Sequence, residues 1–364
     1  MTVPGGGRAS SGLRGTVQPL AALFDVALLD LDGVVYVGPH AVPHAATSLD
    51  GARAQHGLRA AFVTNNATRP PGVVAQHLRE LGIAAADTDV VTSAQAGARV
   101  VAEHLPPGAR VLAVGGPGVA DALRARGFEP VISASEDPAA VLQGYGPQVG
   151  WRELAEACLA IEAGALWVAT NLDRTIPSPR GRVLGNGALV AAVQHATGAT
   201  PVSAGKPLPP LMVESVERSH SARPLVVGDR LDTDIEGANA CDIPSLLVLT
   251  GVTRWRDVLA VPHRLRPTFL DQDLRGLLVA QPEVVLRREG SILRASCRSA
   301  RVSVPLLPQP GQGRARDGAG WVPPGLPDGP DLNASDLDAV RAVIACSWAL
   351  ADDEPSTAAP GAGH

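Results

Sequence analysis

Aromatic residues are scarce in this chain, at 3% of 364 positions, and methionine occurs only twice. The apolar share of 45% is ordinary for a globular protein and consists mainly of Ala, Val and Leu, so these must build the interior. Cysteine is sparse as well. Cys158, Cys241, Cys297 and Cys346 lie far apart, with no Cys-x-x-Cys pair and no histidine at metal-ligand spacing. That argues against a disulfide framework and fits free or buried thiols in a reducing cytosol. A basic excess is also missing: the formal net charge of -5 is spread over the chain and argues against a nucleic-acid partner. No apolar run is long enough to span a bilayer. The first 20 residues, MTVPGGGRASSGLRGTVQPL, lack a continuous apolar core and read as a flexible tail, not a signal peptide. The expectation is a cytoplasmic protein with no membrane partner.

What the chain does have is alternation. Apolar runs with strand character occur at 26–30 (VALLD), 59–64 (RAAFVT), 110–115 (RVLAVG), 165–170 (ALWVAT), 224–229 (PLVVGD) and 245–250 (SLLVLT). Between them lie Ala- and Leu-rich stretches with helical spacing, such as PGVVAQHLRELG and WRELAEACLAIEAG. Buried strands alternating with helices imply an α/β fold with a mostly parallel sheet, whose ligands bind beyond the carboxyl ends of the strands. After residue 280 the texture changes to a basic, strand-like stretch. A Pro- and Gly-rich linker follows, then a helix capped by Asn333 or Ser335 with Leu337, Val340, Val343, Ile344 and Trp348 on one face, and a disordered end.

Four polar clusters follow strand-like runs. Asp30 and Asp32 stand two residues apart, before Gly33. Residues i and i+2 of a strand point the same way, so both carboxylates can face one pocket, where a hard cation such as Mg²⁺ would relieve their repulsion. Thr64, Asn65 and Asn66 end the second run, where hydroxyl, amide and backbone N–H groups can hold phosphate oxygens. Lys206, between Gly205 and Pro207, can neutralise a phosphate or a carboxylate. Asp229, Asp232 and Asp234 follow the buried run 224–228. Each cluster alone has a plainer reading: loop caps, a polar turn, a surface lysine, an acidic first turn of a helix. The acidic turn accounts for Asp232 better than for Asp229.

Together, DLDGV, VTNN, GKP and GDRLDTD resemble the motifs of the haloacid dehalogenase superfamily of phosphohydrolases, over roughly residues 24–280. The resemblance implies a Rossmann-like core, an inserted cap and a Mg²⁺ cofactor. It implies Asp30 as nucleophile, through an aspartyl-phosphate, and Asp32 as general acid and base. Mg²⁺ is then held by Asp30, by Asp32 through its backbone carbonyl, and by Asp229, with Asp234 supporting. Thr64, Asn65 and Lys206 are implied to bind the phosphoryl oxygens.

About 140 residues separate Asn66 from Lys206, against about 32 between Asp32 and Thr64. An insertion there resembles the superfamily branch with an α/β cap, which includes p-nitrophenyl, phosphoglycolate and glycerol-3-phosphate phosphatases. The expected organisation is a flexible tail over 1–20, a core over 21–70 and 200–280, a cap over 71–199, and an extension over 281–364. VGGPGV at 114–119 lacks the full glycine spacing of a dinucleotide fingerprint, and a tight strand-to-helix turn suffices for it. By resemblance Asn171, Asp173 and Arg174 face the site from the cap; for Arg174 a purely structural loop is an equal reading. QGYGPQVGWRELAEA, ATNLDRT and GNGALVAAV look most like actinobacterial-type glycerol-3-phosphate phosphatases, in which a degenerate acetyltransferase-like region follows. The implied partner is a small phosphorylated metabolite, glycerol 3-phosphate first, with a homodimer through the cap consistent with the resemblance. Phosphoglycolate, pyridoxal phosphate, a sugar phosphate or a nucleotide monophosphate stay open as substrates. A non-catalytic regulatory protein on the same scaffold stays open as a different class.

Overall fold

A computed structural model describes residues 12–178, 180–306 and 332–352. Two parallel sheets dominate it. The first has six strands, in the spatial order Phe269–Asp271, Ser245–Val248, Pro224–Gly228, Val26–Leu29, Arg59–Thr64, Val90–Thr92. Val26–Leu29 is therefore central, with Leu29 opposite Val227 on one side and Phe62 on the other. The two-residue period of a strand sends alternate side chains to opposite faces. Val26, Leu28, Ala61, Val63 and Val226 pack with Ala96, Val100, Leu211 and Met212 on one face. Ala27, Leu29, Phe62, Leu225 and Val227 pack with Ala45, Ala52, Val74 and Leu78 on the other. Cover on both faces explains why these strands read as unbroken apolar runs.

The second sheet has five parallel strands, in the order Val202–Ser203, Leu166–Ala169, Ala140–Gln143, Arg110–Val114, Glu129–Val131. One face packs on helices Trp151–Glu162 and Asn186–Thr197 through Ala157, Ala160, Val190 and Val193. The other packs on helix Ser93–Ala102, which also serves the first sheet, so the two share one apolar cluster. Gly97 permits this: a Cβ there would lie 2.6 Å from Leu142 Cδ1. The sheets also exchange strands across the expected boundaries. Val90–Thr92 lies within 71–199 but edges the first sheet, and Val202–Ser203 lies within 200–280 but edges the second.

Every expected strand is present, shortened by at most two residues, and the architecture is the expected α/β one. Strands Val90–Thr92, Ala140–Gln143 and Phe269–Asp271, and the exposed hairpin Thr175–Ser178 with Gly181–Leu184, were not anticipated. The expected flexible tail needs correction. Residues 1–11 lie outside the described residues, but 12–20 are packed: Leu13 and Leu20 are buried, and the Arg14 and Thr16 N–H groups donate to Thr268 O and Gln281 O.

The described part of the extension packs on the core. Strands Val284–Glu289, Ile292–Cys297 and Ala300–Pro305 form an antiparallel sheet under helix Ala334–Asp352. Asn333 caps that helix, its Oδ1 accepting from the N–H groups of Ser335 and Asp336. Leu337, Val340, Val343, Ile344 and Trp348 are all buried, in a cluster shared with Leu247, Leu249, Trp255 and Val258 of the core. The Pro- and Gly-rich linker from 307 onward and the chain end from 353 lie outside the described residues.

Candidate active site

Asp30, Thr64 and Asp229 stand at the carboxyl ends of three adjacent strands, where the order of the sheet places them side by side. The Asp30 N–H still donates to Val227 O. The chain then turns tightly, with Leu31 O accepting from Val34, Val35 and Tyr36. Leu31, Val34 and Val35 are buried and anchor the turn from inside. Gly33 has φ +89°, and a Cβ on it would lie 2.6 Å from Asp229 Oδ2. The Asp-x-Asp-Gly spelling thus has two physical reasons at the glycine: a left-handed backbone and a neighbouring carboxylate.

Lys206 is the buried cation of the site. Its Nζ donates to Asp30 Oδ1 at 2.5 Å, Asp234 Oδ1 at 2.6 Å and Val63 O at 3.4 Å. Burial opposes its charge, but Asp234 and Asp30 hold the ammonium above its ordinary value. Asp234 Oδ2 accepts from the Arg230 N–H, so both oxygens of this carboxylate have protein partners. Asp232 points away and pairs with Arg230 at 2.9 and 3.0 Å.

Asp229 is fully buried and differently furnished. Its Oδ2 accepts from the Val252 N–H at 2.6 Å and its carbonyl from the Thr253 N–H at 3.1 Å. Its Oδ1 has no partner among the described residues. Gly251 presses on the same carboxylate: a Cβ there would lie 2.0 Å from Oδ2. Burial, with Asp234 and Asp30 alongside, pushes this carboxyl up to about 7. Oxygens of Asp30, Asp229 and Asp234 lie within 4.8 Å of one another. Three carboxylates cluster here while the one lysine pairs with only two of them, and a buried Asp229 oxygen is left over, so the donor set fits a hard divalent cation.

Asp32 does not join that cluster. The residue is exposed to solvent, yet the protein packed around its carboxyl raises its pKa, against the pull of Arg69, Lys206 and His77. Burial, Asp32 and Asp30 together raise the Tyr36 phenol, which stacks edge-on against His77. Tyr36, Arg69 and His77 were not singled out from the sequence; nothing in their local spelling sets them apart.

A segment that follows strand Leu166–Ala169 of the second sheet meets the end of strand Arg59–Thr64. Thr64 is buried, and its Oγ1 accepts from the Asn66 N–H. The Asn65 side chain is already engaged by the protein. Its amide does not stand free for phosphoryl oxygens: Nδ2 donates to the Asp173 carboxylate at 3.2 Å and to Lys206 O at 3.2 Å, and Oδ1 accepts from the Lys206 N–H at 2.9 Å. Both amide hydrogens are used, so it acts as a strut joining three segments. Asn171 is buried and braces the strut, Nδ2 donating to Asn65 O, while its Oδ1 accepts from the Asp173 N–H. Burial raises the Asp173 carboxyl, opposed by the Asn65 hydrogen bond. Arg174 is exposed at the start of the hairpin, and its carbonyl accepts from the Gly185 N–H.

Residues 27–129 match the family model described as haloacid dehalogenase-like hydrolase, and residues 203–277 match a HAD-hydrolase-like model. The chain is 52% identical over 262 residues to the D-glycerol 3-phosphate phosphatase of Mycobacterium tuberculosis, covering 72% of this chain and 73% of that one. It is 38% identical to the acid sugar phosphatase of Staphylococcus saprophyticus, over 69% of this chain and 95% of that one. Among solved structures, a glycerol phosphate phosphatase from Mycobacterium tuberculosis in complex with magnesium superposes with a TM-score of 0.75 at 41% identity, covering 93% and 94%. A p-nitrophenyl phosphatase from Archaeoglobus fulgidus superposes with a TM-score of 0.65 at 28% identity, covering 70% and 98%.

Proposed function

We infer the reaction from one premise: the chain belongs to the haloacid dehalogenase-like hydrolases. It is a Mg²⁺-dependent phosphatase that hydrolyses glycerol 3-phosphate to glycerol and phosphate. The observation that carries this reading is the buried Asp30–Lys206–Asp234–Asp229 cluster at the carboxyl ends of the central strands. The identity to a D-glycerol 3-phosphate phosphatase supports the choice of substrate.

Asp30, Asp229 and the Asp32 carbonyl would hold the cation, with Asp234 bracing Lys206. Bound Mg²⁺ supplies a Lewis acid that neutralises carboxylate charge and polarises phosphoryl oxygens. The Asp30 carboxylate attacks phosphorus and the ester oxygen leaves with a proton from Asp32, giving an aspartyl-phosphate and free alcohol. Asp32 then takes a proton from the water that attacks the acyl-phosphate, releasing phosphate and regenerating Asp30. The Asp32 carboxyl is raised by burial, the direction that favours a general acid. Separation from the carboxylate cluster lets two acids two residues apart take different roles. Lys206, the Thr64 hydroxyl and the Asn65 backbone N–H would stabilise charge on the transferring group.

The second sheet is the cap, and the loop 170–174 is its contribution to the site; Asn171 and Asp173 set the wall, and Arg174 stands at the rim. A cytoplasmic homodimer through this cap belongs to the same proposal. Trp151 and Leu159 support that interface, being 84% and 59% exposed on one cap helix. Light scattering on the wild type and on Trp151→Glu tests the dimer.

The test of function is phosphate release from a panel of small monoesters, with Mg²⁺ or with chelator, for wild type and Asp30→Asn. Preference for glycerol 3-phosphate, lost with chelator and in the variant, is expected. Preference for another monoester would move the substrate and keep the chemistry. Near-normal turnover by folded Asp30→Asn would overturn the mechanism.

A further inference from the structure

The segment that aims Asp229 is a loop, 250–253, and its two stems lie in the cluster shared with the C-terminal helix. Leu247 and Leu249 lead into the loop, Trp255, Val258 and Leu259 lead out, and all five pack with Val340, Val343, Ile344 and Trp348 of helix Ala334–Asp352. Leu231 and Ile235, which flank the Asp234 turn, belong to the same cluster. The loop itself donates the Val252 N–H to Asp229 Oδ2, and the Thr250 hydroxyl to Gly33 O beside the nucleophile turn. The outgoing stem is a short 3-10 turn, Trp255–Val258, whose last carbonyls have no partner within so brief a helix. The C-terminal helix supplies the donors: Trp348 Nε1 to Val258 O at 2.8 Å and Ser347 Oγ to Leu259 O at 2.6 Å. Arg341 and Arg266 fix the helix around these contacts, through Leu270 O and Asp352 respectively.

We propose that the C-terminal helix is a positioning element for the cation site, with Trp348 and Ser347 holding the loop that orients Asp229. The inference rests on the Mg²⁺-dependent reading above and gives the extension a role in it. Neither residue is near the reacting atoms, so both act through the loop. Their loss loosens the Val252 N–H and frees the Asp229 carboxylate to turn, and cation affinity falls while substrate affinity does not.

The test uses the full chain, with Ser347→Ala, Trp348→Phe and the double variant. Mg²⁺ alone is titrated against the thermal midpoint, and then against turnover at saturating substrate. A hydrogen bond lost from a positioned loop corresponds to roughly a fivefold effect, so the Mg²⁺ midpoint rises roughly five- to twentyfold across the series. KM for the phosphate ester at saturating Mg²⁺ stays within about twofold, since no substrate contact is touched. Val193→Ala, in the cap cluster, is the control for general destabilisation. The same Mg²⁺ midpoint in Ser347→Ala and Trp348→Phe as in wild type overturns the inference. An equal shift in Val193→Ala does so too. If Trp348→Phe does not fold, Ser347→Ala, which loses one hydroxyl, decides alone. Absence of any Mg²⁺ effect on wild type would instead overturn the functional reading underneath.

Discussion

Replacing Lys206 by Met removes one positive charge from between two carboxylates and keeps most of the buried volume. The lysine side chain is 3% exposed, Asp234 1% and Asp30 15%, so little water is available to screen what remains. Removing one partner of a buried ion pair costs about 3–5 kcal/mol, because the remaining charge is stranded. At about 2–4 °C per kcal/mol for a chain of this order, the thermal midpoint in chelator falls by roughly 6–20 °C. Turnover falls further than stability requires: a lost charged donor to the transferring phosphoryl group costs about 10²–10³ in kcat. The carboxylates left behind are more negative, so Mg²⁺ should raise the midpoint of Lys206→Met by more than it raises that of wild type. Scanning calorimetry with and without Mg²⁺, together with steady-state kinetics, reads all three. A variant whose midpoint in chelator lies within about 2 °C of wild type would refute the claim that this lysine compensates two buried acids. Turnover within about threefold of wild type would refute its place in catalysis.

Gly251→Ala puts a methyl 2.0 Å from Asp229 Oδ2, so the carboxylate must move. The expected outcome is a Mg²⁺ requirement raised at least about fivefold in an activity titration, from a cost of order 1–3 kcal/mol. Asn65→Ala cuts the ties to Asp173 and to the Lys206 loop. At about 1 kcal/mol for a typical net hydrogen bond, kcat/KM falls at least roughly fivefold with near-native circular dichroism. The last prediction concerns pH. Arg266 hydrogen bonds, assisted by its charge and by His263 and opposed by burial, hold the Asp352 carboxyl below its ordinary value. A depressed carboxylate stabilises the fold above its unfolded pKa of about 4 and loses that contribution as pH falls through the folded value. The deficit of Asp352→Asn relative to wild type should therefore be full at neutral pH and shrink below about pH 4. A deficit that grows on acidification would contradict this ion pair's role in docking the helix.

Local order explains what was legible in the sequence. The strands were visible because both faces of each sheet are covered, which demands unbroken apolar runs such as VALL and LVVG. Asp30, Thr64 and Asp229 were visible because each follows such a run directly, and a parallel sheet collects its functional groups at those ends. Strand Val90–Thr92 was hidden by its three-residue length, and the cap edge strand Val202–Ser203 by its two. The packed segment 12–20 was hidden because glycine and polar residues there owe their order to Thr268 and Gln281, far along the chain.

By itself the sequence determined the fold class and the four polar clusters, because these depend on period, residue type and spacing; the reaction came from the family that those clusters resemble. Only the tertiary structure decided how the polar groups divide their work. Asn65 became a strut because Asp173 and Lys206, 108 and 141 positions away, meet its amide. Asp229 became the acid with an oxygen to spare because a loop beginning some twenty residues later gives its carboxylate one N–H, to Oδ2, and leaves Oδ1 without a partner among the described residues. The extension became part of the core because its helix fills the apolar wall behind that loop. Hydrogen-bond saturation and burial are sums over everything that surrounds a group, and most of those neighbours are distant in the chain.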